Sequence, residues 1–88
     1  MQTIICGIPF QITTFDRVAE EGLYGRMDGK SAMIMLDKKM PKPMADATLV
    51  HEWMHAVLEC NGIQHTEQLV AVLSTELYRS GFRVKVEK

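Results

Sequence analysis

A helix has to form between the prolines of "MPKPM" (residues 40–44) and the "NG" of Asn61–Gly62, and this segment constrains the fold more than any other. Proline lacks only an N–H that the first helical turn leaves unpaired anyway, so Pro41 and Pro43 fit just ahead of a helix beginning near Met44 or Ala45. From there to about Cys60, apolar residues recur at helical spacing at Ala47, Val50, Met54, Val57 and Leu58. Asn61–Gly62 then supplies a left-handed stop.

The residues before this helix read as strands. "IPFQITTF" (8–15) mixes apolar, β-branched and polar residues with partial alternation, and Gly7–Ile8–Pro9 breaks it from the first few residues. "GLYGRMDGKSAMIMLD" reads as a hairpin, from Leu23 to Met27, through a turn in which Asp28–Gly29 supplies positive φ, and back from Ala32 to Leu36. On the returning strand Ala32, Ile34 and Leu36 face one way and Met33 and Met35 the other, so neither face is strongly polar and cover is expected on both. Beyond the helix, Thr66 caps a second one running to about Ser80, with Leu69, Val70, Val72, Leu73 and Leu77 inside and Gly81 at its end. "FRVKVE" alternates and forms either a short terminal strand or a loose tail. The expected layout is α+β, a small antiparallel sheet packed on two helices, within one domain covering residues 1–88.

The totals exclude several classes. A chain of 88 residues is too short to divide its apolar side chains between two cores. With 47% hydrophobic and 24% charged residues it has the material to fold and too little charge bias for disorder. A formal net charge of −1 argues against nucleic acid as a partner held through phosphates. No run approaches the roughly 20 apolar residues of a membrane span, and "MQTIICGIPF" has no basic start and is interrupted by Gly7 and Pro9, unlike a signal peptide. A cytoplasmic protein is expected, with Cys6 and Cys60 reduced and packed as small apolar groups in preference to a disulfide tying the N-terminal strand to a helix. The seven methionines read as core filler.

The chemistry lies in "LVHEWMHAV" (49–57). On a helix turning about 100° per residue, His51 and His55 lie about 40° apart and one turn along, so both imidazoles can reach one ion. Glu52 points about 100° from His51, outside that pair of coordination bonds yet close enough to border a water on the ion. Zinc would lower the pKa of that water to roughly 7, and Glu52 would take its proton and pass it to the leaving amine of a hydrolysed amide. Cys60 is about 180° round from His51 and no partner for a closed cysteine-rich zinc site. Glu59, on the Glu52 side, is either an exposed carboxylate or an orienting one. Trp53 is expected against the sheet.

At "HEWMH" the sequence resembles the zincin metallopeptidases, and "TLVHEWMHAVLECNGIQHTEQLVAVLSTEL" (48–77) resembles the small zincin-like proteins common in phage and prophage genomes. The metzincin branch would place glycine at 58 and histidine at 61, where this chain has Leu58 and Asn61. The gluzincin pattern implies Glu67 as the third metal ligand, the acidic residue opening "ExxV" with Val70, and His65 in the preceding loop competes for that place. Glu67 shares its helical face with Val70, Ala71 and Ser74, small residues that allow close helix packing, while Glu76 lies about 180° away and should be solvated. The resemblance further implies a minimal zincin core, residence in a host cytoplasm, and a substrate-binding edge strand at Ala32 to Leu36. Tyr24 and Tyr78 both offer an oxyanion-stabilising hydroxyl, and spacing selects neither.

The function expected on these grounds is a Zn2+-dependent peptidase acting on a protein or peptide substrate, with Glu52 as base and His51, His55 and Glu67 as ligands. One alternative keeps the zinc but acts as a catalytically inactive interaction module. The other is a metal-free helical hairpin in which the histidine pair is incidental.

Overall fold

The computed structural model describes residues 1–16 and 24–88. Strand β1 (Gln2–Ile5) turns directly into β2 (Ile8–Phe15), with Ile5 paired to Ile8. The two turn residues, Cys6 and Gly7, both take positive φ, which suits the twist of a two-residue hairpin. Strand β3 (Gly25–Asp28) and β4 (Met33–Asp37) form the second antiparallel pair. The expected hairpin is therefore present, although Leu23, its expected first residue, lies outside the described residues.

Its turn differs from expectation. Gly29 does not adopt positive φ; Ala32 does, at 52°. The turn is instead organised by the Asp28 carboxylate, which accepts hydrogen bonds from the Lys30 and Ser31 amides. A side chain at Gly29 would collide with the carboxylate of Glu59, so this glycine provides space. Glu59 is thereby placed beside the turn and lines no part of the cleft described below.

The class is α+β, with a four-stranded sheet in the order β1-β2-β4-β3. The sheet is mixed, not wholly antiparallel, because β4 enters between β2 and β3 and runs parallel to β2, with Ile12 opposite Ile34. This corrects the expectation that Ala32 to Leu36 offers an edge. β4 is paired on both sides, and β3 is the last strand at that end of the sheet. At the other end, the Gln2 and Glu87 backbones exchange two hydrogen bonds, so "FRVKVE" ends as a single bridge against β1.

Helix α1 (Lys42–Cys60) starts two residues before the expected point, with Pro41 as its cap and Pro43 inside the first turn. It ends as the Asn61–Gly62 pair requires. Gly62 has φ 69°, its amide bonds the Glu59 carbonyl, and the Ile63 amide reaches back to Leu58. One face of the sheet (Ile5, Phe10, Ile12, Ile34, Leu36) closes on Leu49 and Ala56, with Trp53, Val57, Val84 and Val86 packed around this core. Trp53 thus packs where expected, with Phe82 against its ring at 5.0 Å between centroids. The other face carries the half-buried Met33 and Met35, and among the described elements no helix packs on it.

Helix α2 (Glu67–Arg79) contacts α1 alone among the elements. Thr66 caps it by accepting the Leu69 amide. Of the five residues expected inside, only Val70 is fully buried; Leu69, Val72 and Leu73 are exposed and Leu77 is intermediate. The buried stripe is Val70 and Ser74, the face expected to carry Glu67 towards α1, although Ala71 of that set is exposed.

Cys6 and Cys60 are joined as a disulfide and both are exposed, which corrects the expectation of reduced, core-packed thiols. The turn between β1 and β2 is brought against the C-terminal end of α1 with 6.7 Å between the two Cα atoms, inside the range a disulfide spans. That juxtaposition is a property of the tertiary fold and carries no signature in the spacing of the two residues.

Candidate metal centre

His51 and His55 project from α1 one turn apart, and Glu67 is the first residue of α2, delivered by the short loop that follows Gly62. One ligand atom from each of the three lies within 4.8 Å of the others, close enough to hold a metal ion. Glu67 Oε2 is 3.1 Å from His51 Nε2, and Oε1 is 2.7 Å from His55 Nε2. The Nε2 atoms of both rings are therefore turned to the same carboxylate.

The group fits a cation. The His51 contact is a hydrogen bond, but the one to His55 falls outside hydrogen-bond geometry, so His55 Nε2 is a buried ring nitrogen without a hydrogen-bond partner. Held 2.7 Å from a carboxylate oxygen, this buried nitrogen needs positive charge between the two, a proton or a cation, and the convergence of His51 on the same carboxylate suits a cation. Two imidazoles and one carboxylate suit zinc and other borderline divalent ions, and leave coordination positions for solvent or substrate.

The titration behaviour agrees with that use. Burial holds the His55 imidazolium down, against the opposing pull of Glu67, so the ring favours the neutral form a ligand needs. Burial pushes the Glu67 carboxyl up, but the His55 and His51 imidazoles outweigh it and its net shift is downward, towards the ionised form. Glu52 shifts the other way. Its carboxyl is raised, first by burial and further by Glu67, with His51 opposing.

Glu52 is only 8% exposed, and among the described residues nothing donates a hydrogen bond to its carboxylate. It lies over β3 at Gly25, where a methyl group would stand 2.7 Å from Thr48 Cγ2 and 3.3 Å from Glu52 Oε2. Contact this tight explains why the edge strand has glycine opposite the glutamate. Sequence reasoning had no means of seeing this requirement, since Gly25 and Glu52 are brought together only by the packing of α1 on β3.

These groups line a cleft of about 1000 Å³ between β3, α1 and α2, walled by Tyr24, Met27, Met44, Ala47 and Tyr78. Both tyrosines named from the sequence border it, and the Tyr78 hydroxyl donates to the Pro43 carbonyl, tying the far end of α2 to the start of α1. Glu76 is exposed and pairs with Arg79, as a solvated carboxylate should.

His65 is placed differently from the competing ligand the sequence suggested. Its Nδ1 lies 2.8 Å from Nδ1 of His55, on the opposite edge of that ring from Glu67, and it is not one of the three converging ligands. Ser74 stands in the same relation to His51, with Oγ 3.4 Å from Nδ1. The only advance signal for Ser74 was its helical register with Glu67.

No helix among the described residues is long and apolar enough to cross a membrane. Neither protein-family models, curated proteins nor solved structures gave a match to this chain, so the centre rests on its own geometry.

Proposed function

We propose that the protein is a zinc-dependent peptidase, in which His51, His55 and Glu67 hold the ion and Glu52 is the base. The observation that carries this reading is Glu52 itself, a carboxylate that lines the same open cleft as three converging metal donors and accepts no hydrogen bond from the described residues.

When bound, a divalent zinc ion supplies Lewis acidity, making a neighbouring water acidic near neutral pH and polarising a carbonyl. Glu52 accepts the proton lost by the water as its oxygen bonds to the carbonyl carbon. It returns that proton to the nitrogen as the C–N bond breaks, so one water is consumed and an acid and an amine leave. Desolvation of Glu52 makes it a stronger base than a surface carboxylate. The glycine at position 25 lets the carboxylate rest on β3, the last of the described strands on that side, along which an extended peptide would lie.

The test compares wild-type protein with Glu52→Gln, both reconstituted with zinc, for metal content and for cleavage of unfolded casein and a mixed fluorogenic peptide library. Equal zinc in both, with cleavage reduced roughly 100- to 10,000-fold in Glu52→Gln, is the expected result. Zinc without cleavage in the wild type would leave the inactive interaction module, and absence of zinc in both would leave the metal-free hairpin.

A further inference from the structure

The tripeptide His65–Thr66–Glu67 straddles the His55 ring. Glu67 addresses Nε2 at 2.7 Å and His65 addresses Nδ1 at 2.8 Å, while Thr66 between them caps α2 through the Leu69 amide. The His55 and His65 rings are 4.8 Å apart at their centroids and tilted by 56°.

A neutral imidazole carries one proton, on Nδ1 or Nε2, and only the bare nitrogen can bind a metal. If His65 accepts at its own Nδ1, the His55 proton is held on Nδ1 and the lone pair is left on Nε2, the buried atom that has no hydrogen-bond partner. His65 cannot itself join the ion through the nitrogen facing His55, because that nitrogen meets the wrong edge of the ring. At His51 the same logic holds with a different acceptor, since Ser74 Oγ donates to the Ala71 carbonyl and is free to accept from Nδ1.

We propose that His65 is a positioning residue for the metal centre, accepting the Nδ1 proton of His55 so that Nε2 is presented to the ion, and binding no metal itself. The inference rests on the metal reading above, but it concerns the ring His65 orients. It also gives the loop between the helices a task, because orienting His55 and delivering Glu67 are done by residues only two apart.

Three proteins test it, namely wild type, His65→Ala and His65→Asn, the last placing an amide oxygen close to where the imidazole Nδ1 stood. Zinc affinity is measured by competition with a chromogenic chelator, and long-range proton–nitrogen spectra of the zinc-loaded wild type report the protonated nitrogen of each histidine. The expected result is affinity 10- to 100-fold weaker in His65→Ala. His65→Asn should recover most of the loss, and the spectra should show His55 protonated at Nδ1 with neither His65 nitrogen shifted by metal. Unchanged affinity in His65→Ala, no recovery in His65→Asn, or a metal-shifted His65 nitrogen would each overturn the assignment. A wild type that takes up no zinc removes the metal reading beneath it, an outcome distinct from those three.

Discussion

α1 and α2 carry similar apolar spacing and meet opposite circumstances. α1 lies between the sheet and α2, burying Leu49 and Ala56 on one side and Val50, which is fully covered. Among the described helices and strands α2 rests on α1 alone; its Val70 and Ser74 are buried, whereas Val72 is 57% exposed and Leu69 and Leu73 are exposed with it. The difference teaches that spacing sets which residues share a face, while neighbours decide which face is covered. It also shows what secures α2. Beyond Val70, its polar ties to α1 are the Glu67 contacts with His51 and His55, the Ser74 contact with His51 and the Tyr78 bond to Pro43. An ion shared by ligands from both helices would act as a staple on the more weakly held one.

The largest expected effect breaks the advantage of α1. Its C-terminal end is clipped to the sheet by the disulfide, which closes a loop of 54 residues, and opening such a loop costs about 4 kcal/mol in chain entropy. Reduction, or Cys60→Ser, should lower the denaturant midpoint accordingly; an unchanged midpoint would show that α1 needs no clip.

Next in size is the pair Val50→Ala and Val70→Ala, each of which removes two methyl groups from a fully buried site and should cost about 2 kcal/mol. Without metal the two should be similar. With saturating zinc, Val70→Ala should recover a larger part of its melting temperature, since the staple holds the helix that Val70 otherwise secures. Equal recovery would mean that α2 is not the weaker partner.

On the outer face of α2, Leu73→Gln should change stability by no more than about 0.5 kcal/mol. A loss above about 1.5 kcal/mol on chemical denaturation would show that Leu73 is covered in solution.

The last effect vanishes at one end of the pH range. Because burial raises the Glu52 carboxyl in the folded state, metal-free wild type bears a Glu52 penalty that grows as pH climbs from the unfolded carboxylate pKa through the folded one, set against the stability that the downward-shifted Glu67 and His55 add to both proteins over the rise. Metal-free Glu52→Gln does not, so it should melt above wild type at neutral pH and together with it in acid, as followed by circular dichroism across that range.

Much of this was legible in the sequence, and the misses have a common cause. Helix limits were readable to within two or three residues because their signals are local, as with the prolines near the start of α1, Thr66 at a cap and Gly62 at a stop. The His51, Glu52 and His55 set was readable for the same reason, being fixed by helical geometry, whereas Glu67 came from the gluzincin resemblance, with its register beside Val70 and Ser74 in support. What escaped depends on contacts between distant segments. The insertion of β4 between β2 and β3, the approach of Cys6 to Cys60, the space Gly25 leaves for Glu52 and the turning of His65 towards the far nitrogen of His55 are invisible to any window of sequence. The inner face of α2 was misread because apolar character was taken as burial, when the helix has too few neighbours to cover so many side chains.

The pairing of Gln2 with Glu87 brings residues near both ends of the chain side by side at the strand farthest from β3. Three strand spacings, roughly 14 Å, separate that edge from the one bordering the cleft. A fluorescent protein or surface tether attached beside either residue would therefore leave from the β1 edge, three strands away from the β3 wall of the cleft. A linker of a few residues could close the chain into a ring.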